Sequence, residues 1–253
     1  MSVHTGKGGR KVVRFTDYDY DPVNPDEGNS VLPQDYDWIC EESKLKKVFQ
    51  TLGRFWWKYA LHARVMNPEV LEPYKGEGAF LFINHTQPFG DPFLPDVLLK
   101  NQKFYSICAP KNLQVPVLGP LLPSLGALPL PSTLEGMRKM RKAVHQRLEE
   151  GSWIVIYPEA HLWPWCTMIR PFVPGSFQYP VDENRICFCA TVTYQKSKRR
   201  KPSVSVWLDG PFEPDPALKR PARRNDLNRR VHEAMENRAR LNTQSYIMYE
   251  KVE

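Results

Sequence analysis

From residue 79 onward, short apolar runs alternate with amphipathic stretches. The runs at 79–84 (AFLFIN), 104–109 (FYSICA), 127–130 (ALPL), 153–157 (WIVIY), 186–194 (ICFCATVTY) and 203–208 (SVSVWL) have the length and the β-branched, aromatic character of buried strands. The stretches 92–100, 133–150 and 226–241 read as helices. Within the second, Met137, Met140, Val144 and Leu148 share one face, while Arg138, Lys139, Arg141 and Lys142 point elsewhere. This alternation predicts an α/β domain with a mixed, largely parallel sheet flanked by helices. QKSKRRKP, between the last two runs, is too short for a parallel crossover, so those strands should form an antiparallel hairpin. Its KSKRRK stretch is then a solvated tip. No recognised nucleic-acid module accompanies it, and no nucleic-acid partner is expected.

Two segments precede this domain, here taken as 73–253. Residues 41–62 carry Leu45, Val48, Leu52, Phe55, Trp56 and Tyr59 at helical spacing, with Lys44, Lys46, Lys47, Arg54 and Lys58 among them. Glu41 and Glu42 suit the N-terminus of such a helix. The pattern predicts a basic amphipathic helical element over 38–72. Taken alone, it fits packing of the apolar face on its own domain better than contact with a lipid surface. Residues 1–37 are Asp- and Pro-rich and read as a polar extended or disordered arm that packs on the body.

Charge and cysteine content narrow the class. The 253 residues carry a net charge of +7, yet residues 1–37 hold four cations against seven acids, so the body carries +10. A basic body attracts phosphate-bearing partners. Mean hydropathy is −0.50, and no apolar run reaches the length of a spanning helix. The N-terminus lacks the apolar core of a secretory signal. Cys40, Cys108, Cys166, Cys187 and Cys189 are odd in number and form no C-x-x-C pair, which fits reduced thiols in the cytoplasm.

Polar clusters follow two of the strand ends, where α/β sheets collect their active sites. Asn84-His85 ends the first run, and Asp91-Pro92 opens the helix after it. A histidine there can act as general base, with a carboxylate on its other nitrogen fixing the tautomer. Asp before Pro is also an ordinary helix cap, and one carboxylate can fill both roles. Pro158, Glu159 and His161 follow the fourth run. No serine nucleophile motif stands beside His85, so a base-activated external hydroxyl is expected rather than a covalent intermediate. Glu159 and His161 do not have metal-ligand spacing, and no metal site is expected.

Four ordered blocks resemble the glycerolipid acyltransferases, the family of 1-acylglycerol-3-phosphate acyltransferase. They are NHTQPFGD at 84–91, APKNLQVPVLGPLLPSLGALPL at 109–130, IVIYPEAH at 154–161, and RPFVPGSF at 170–177 before the strand ICFCATVTY. The resemblance spans roughly residues 45–210. It implies a fold like that of glycerol-3-phosphate acyltransferase, preceded by an N-terminal amphipathic element. It implies an O-acyltransferase of phospholipid biosynthesis, moving a fatty acyl group from an acyl thioester to a lyso-glycerolipid hydroxyl. His85 becomes the general base and Asp91 its orienting partner. Asn84, Lys111, Glu159, His161 and Arg170 become substrate-binding residues. No cofactor is implied beyond acyl-CoA or acyl carrier protein as co-substrate. The amphipathic helix then becomes a dock on an anionic membrane surface, placing the protein peripherally at the inner, cytoplasmic face.

The chain departs from the family pattern in three places. Five residues, TQPFG, separate His85 from Asp91 where the family usually has four. Gly90 is expected to absorb the extra residue through a turn geometry open to glycine. The family's FPEGTR reads YPEAHLW here, and Pro131 stands near the place of a second family arginine. With both phosphate-binding arginines missing, Arg170, Lys111 or the cluster at 138–142 are the cations left to replace them. The competing reading is a binding protein for lipid or acyl thioester whose altered spacing has cost it catalysis.

Overall fold

The computed structural model describes residues 2–5, 11–19, 21–22, 32, 36–39, 43–116, 119–197 and 202–252. Glu41, Glu42, Cys40 and most of the KSKRRK tip lie outside the described residues. In chain order the strands are β1 (Ser2–Thr5), β2 (Lys11–Phe15), β3 (Arg64–Met66), β4 (Phe80–Ile83), β5 (Phe104–Cys108), β6 (Ala127–Pro129), β7 (Trp153–Ile156), β8 (Cys187–Gln195), β9 (Ser203–Phe212) and β10 (Ile247–Lys251). The α-helices are α1 (Leu45–Phe55), α2 (Leu94–Leu99), α3 (Leu134–Glu149), α4 (Gln178–Glu183) and α5 (Arg220–Ala239).

Seven strands form the main sheet in the order β3-β9-β8-β4-β7-β5-β6. All neighbours are parallel except β8 and β9, which form the expected antiparallel hairpin. β4 lies at the centre, and its four residues are fully buried. Their alternation sorts two cores onto opposite faces of the sheet. Phe80 and Phe82 join Met140, Val144 and Leu148 of α3 and Leu227, Val231 and Met235 of α5. Leu81 and Ile83 join Trp57, Leu61 and the α2 residues Leu94, Leu98 and Leu99. Each such side chain stabilises the fold by about 1.5–3 kcal/mol, so β4 cannot shift without losing both cores.

Three regions differ from what periodicity predicts. α5 begins at Arg220, six residues before the expected start, because Pro221 in its first turn presets the helical φ. The polar run RPARRN hides that turn from any apolar pattern. In the N-terminal arm, β1 pairs antiparallel with β2, and β2 pairs parallel with β10 at the other end of the chain. This small sheet packs Phe15 and Tyr249 against Trp163, with ring centroids 4.6 and 4.9 Å away.

The third difference is the orientation of α1. The helix continues through a π-helical turn at Trp56–Ala60. Its inner face is Lys46, Gly53 and Trp57, and a Cβ on Gly53 would lie 2.4 Å from that of Phe93. Leu45, Val48, Leu52, Phe55, Trp56 and Tyr59 instead face outward. The apolar face is not the packed face.

Candidate active site

The site is built on the carboxyl end of β4. Asn84 is 2% exposed; its Oδ1 accepts the Val192 N–H at 2.7 Å and its Nδ2 donates to the Val192 carbonyl at 3.2 Å. This clamp ties the end of β4 to β8 and uses the amide that the family resemblance gave to substrate. His85 follows, with Nδ1 2.6 Å from Asp91 Oδ2. The imidazole side chain is 22% exposed and its ring lies 4.6 Å from that of Tyr157. Nδ1 being occupied, Nε2 is the nitrogen left for a reacting group.

Asp91 is 1% exposed, and its Oδ2 also accepts the N–H groups of Thr86 at 2.9 Å and Gln87 at 3.0 Å. Its carboxylate therefore turns back into the loop. It makes no cap bond to the turn Asp91–Phe93 or to α2, contrary to the double role open to it in sequence. Burial raises the Asp91 pKa, while the His85 hydrogen bond and the two amides pull against that rise. The Tyr157 hydroxyl donates to the Asp91 carbonyl at 2.5 Å. Tyr194, fully buried at the end of β8, meets Thr86 Oγ1 and Gln87 Nε2 at 2.9 Å each. Thr86, Gln87, Tyr157 and Tyr194 were not singled out in sequence; only the fold brings them together.

The five-residue loop still closes His85 onto Asp91. The Asp91 N–H reaches back to the Gln87 carbonyl at 3.4 Å, and Phe89 projects from the turn. Gly90 serves for a different reason than expected. Its φ of −100° is open to any residue, but a Cβ there would lie 3.1 Å from the Trp57 indole. Close approach to the indole, not backbone freedom, is what the glycine serves. The first three amides of the loop are closed to a developing oxyanion. The Thr86 and Gln87 amides are spent on Asp91, and that of His85 donates to Glu159 Oε2 at 2.9 Å.

Glu159 and Arg170 lie behind this loop, at 5% and 1% exposure. Glu159 Oε2 accepts from Arg170 at 2.9 Å, and Oε1 accepts the Arg170 main-chain N–H at 2.8 Å. The same guanidinium nitrogen donates to the carbonyls of His85, at 3.3 Å, and of His161. Arg170 also stacks on Trp163 at 4.8 Å. The pair thus holds main chain, and the Arg170 side chain, expected to stand in for a phosphate-binding arginine, is buried against Glu159 and two carbonyls. His161 is brought near His85 by the shared guanidinium, and its Nδ1 lies 3.5 Å from Asp21 of the N-terminal arm. Lys111 sits in a 3-10 turn past β5, two strands from β4. Arg138, Lys139, Arg141 and Lys142 are exposed on α3, where Lys139 meets Glu135 and Arg141 lies near Asp182.

Residues 62–186 match the family model described as Acyltransferase. The structure is similar to the crystal structure of the 1-acyl-sn-glycerophosphate (LPA) acyltransferase PlsC from Thermotoga maritima. The TM-score is 0.56 at 15% identity, over 79% of this chain and 82% of that one. No curated protein matches the chain. Residues 62–186 thus carry an acyltransferase domain, and the fold around it is a PlsC-like mixed sheet flanked by helices.

Proposed function

We propose that the protein transfers a fatty acyl group from an acyl thioester to the free hydroxyl of a lyso-glycerolipid. The observation that carries this reading is the His85–Asp91 pair, 2.6 Å apart at the end of the central strand despite the longer loop. His85 Nε2 takes the proton of the acceptor hydroxyl. The hydroxyl oxygen then attacks the thioester carbonyl carbon, and the tetrahedral intermediate collapses with loss of the C–S bond. The departing thiolate takes the proton back from the imidazolium, leaving an ester and a free thiol. Asp91 stabilises the imidazolium and fixes its tautomer, the role a buried carboxylate plays in a Ser-His-Asp triad. A thioester is already activated, so alignment and deprotonation supply most of what the step needs. The donor is acyl-CoA or acyl carrier protein.

The same reading places the protein peripherally on an anionic membrane, at its cytoplasmic face. Its support is the outward apolar face of α1, with Lys44, Lys47 and Lys58 exposed beside it. None of the described helices is long and apolar enough to cross a membrane. Among the described cysteines, Cys108, Cys166, Cys187 and Cys189 are free thiols.

The test is thiol release from an acyl-CoA, and from acyl carrier protein, with and without a panel of lyso-lipid acceptors. Acceptor-dependent release that disappears in His85→Ala supports the transferase and names its acceptor. Release that is unchanged in His85→Ala would end the reading.

A further inference from the structure

Phe89, in the loop between His85 and Asp91, is 73% exposed. An exposed phenylalanine calls for a partner only when it belongs to a larger apolar surface. This one does. Its ring meets Trp56 edge to face at 6.5 Å, and Trp56 lies beside Phe55 and Tyr59, themselves 4.6 Å apart. Phe55 and Leu52 are 63% and 59% exposed. One ridge therefore runs from the outward face of α1 onto the catalytic loop. Lys44, Lys47 and Lys58 are exposed beside it, with the Lys58 ammonium 5.2 Å from the Tyr59 ring centroid. Bulky aromatics ringed by lysines suit the boundary between acyl chains and anionic headgroups.

The inner face of α1 grips the same loop. Trp57 is fully buried, and its indole N–H donates to the Gly90 carbonyl at 2.8 Å. Gly53 packs on Phe93, and Arg54 donates to the Asp96 and Lys100 carbonyls at 3.3 and 2.8 Å. The loop is thus fixed at Gln87 by Asp91 and Tyr194 and at Gly90 by Trp57, with Pro88 and Phe89 projecting between.

We infer that the catalytic loop is itself part of the lipid-contacting surface. Phe89 enters the bilayer with α1, and Trp57 is the positioning residue that ties the seated helix to the His85–Asp91 loop. The inference deepens the membrane reading above, and it rests on the acyltransferase reading for its kinetic consequence. Contact with the bilayer would order the loop from both sides, so an acceptor held in a membrane would be used better than the same headgroup in free solution.

Hydrogen exchange tests the coupling without any turnover. Vesicles of mixed phosphatidylglycerol and phosphatidylcholine should slow exchange of the wild-type amides over both 45–55 and 86–93. Trp57→Phe keeps an aromatic ring but loses the hydrogen bond. It should retain the slowing over 45–55 and lose it over 86–93. Slowing confined to α1 in the wild type, no slowing at all, or a Trp57→Phe protein indistinguishable from wild type would each overturn the inference.

Kinetics supply the second arm, with an acceptor presented in the same vesicles or as a short-chain monomer. Trp57→Phe and the surface change Phe89→Ser should each lower use of the bilayer-held acceptor relative to the monomer by roughly tenfold. An equal fall for both acceptors is what a merely structural Trp57 gives, and it would count against coupling. A wild-type protein with no turnover of either acceptor refutes the transferase reading instead, and the exchange result still decides the coupling.

Discussion

Two buried carboxylates stand at the ends of neighbouring parallel strands, and they serve His85 in different ways. Asp91 reaches its ring, at 2.6 Å from Nδ1, while Glu159 reaches its main-chain N–H, at 2.9 Å. Among the described residues Asp91 bonds to no Lys or Arg, whereas Glu159 is paired with Arg170 at 2.9 Å. A carboxylate bonded to the ring changes its charge affinity; one bonded to the backbone changes only where the ring stands. Burial and nearness to the candidate histidine are therefore not enough to assign a carboxylate a chemical role. The atom it touches decides.

The largest effects expected are on the ring side. His85→Ala should lower acceptor-dependent thiol release by roughly 10³-fold or more with little change in melting temperature. Asp91→Asn should cost roughly 10²–10⁴-fold, because a neutral amide cannot stabilise the imidazolium or hold its tautomer. Its acid limb sharpens the assignment. Burial raises the Asp91 pKa against the opposing pull of His85. The carboxylate must be charged to assist, so turnover should fall, as pH drops, above the range of an ordinary carboxylate. The pH profile reports the pair as a unit. A limb unchanged in Asp91→Asn would remove Asp91 from the chemistry.

Next in size is the main-chain side. Glu159→Gln leaves the Arg170 guanidinium buried without its counter-charge, and removing one partner of a buried pair typically costs about 3–5 kcal/mol. Urea denaturation should show that loss, with kcat per folded molecule much less affected than in Asp91→Asn. A Glu159→Gln protein of wild-type stability and abolished kcat would reverse the comparison and give Glu159 the substrate role that the family resemblance implied.

The contrast between the two carboxylates also marks how far the residues alone could be read. The strands FLFI, WIVI and CFCATVTYQ are legible because a strand buried on both faces needs continuous apolar residues. The hairpin follows from a connection too short for a crossover. His85 and Asp91 are legible as a pair because a local loop can join them. Asn84, Glu159 and Arg170 took substrate roles from the family resemblance alone; the partners they have in the structure, backbone atoms and each other, are brought close only by the folded sheet. β1, β2 and β10 escape notice because each is short and β2 finds β10 across almost the whole chain. Periodicity revealed the two faces of α1 but not which one is packed. An apolar stripe looks the same whether it meets a core or a lipid surface, and here Gly53 makes the other face the one that fits against Phe93.

A third buried carboxylate extends the comparison, with the smallest effect. Asp96, in α2 beneath α1, is 4% exposed and does not touch His85. Burial raises its pKa from 3.8 to about 6, although Gln50, Lys46 and Arg54 of α1 pull it down. A folded pKa above the unfolded one means that the fold favours the protonated acid. Stability is then lost as pH rises from about 4 through about 6, and it levels off above. Asp96→Asn stays neutral throughout. It should be more stable than wild type by about 1–3 kcal/mol near pH 8, with the gap closing toward pH 4. Urea midpoints across that window measure the difference. A variant less stable than wild type at high pH would mean that attraction to Lys46 and Arg54 outweighs the burial. Asp96 would then hold α1 against α2 by its charge, rather than strain that contact as its raised pKa implies.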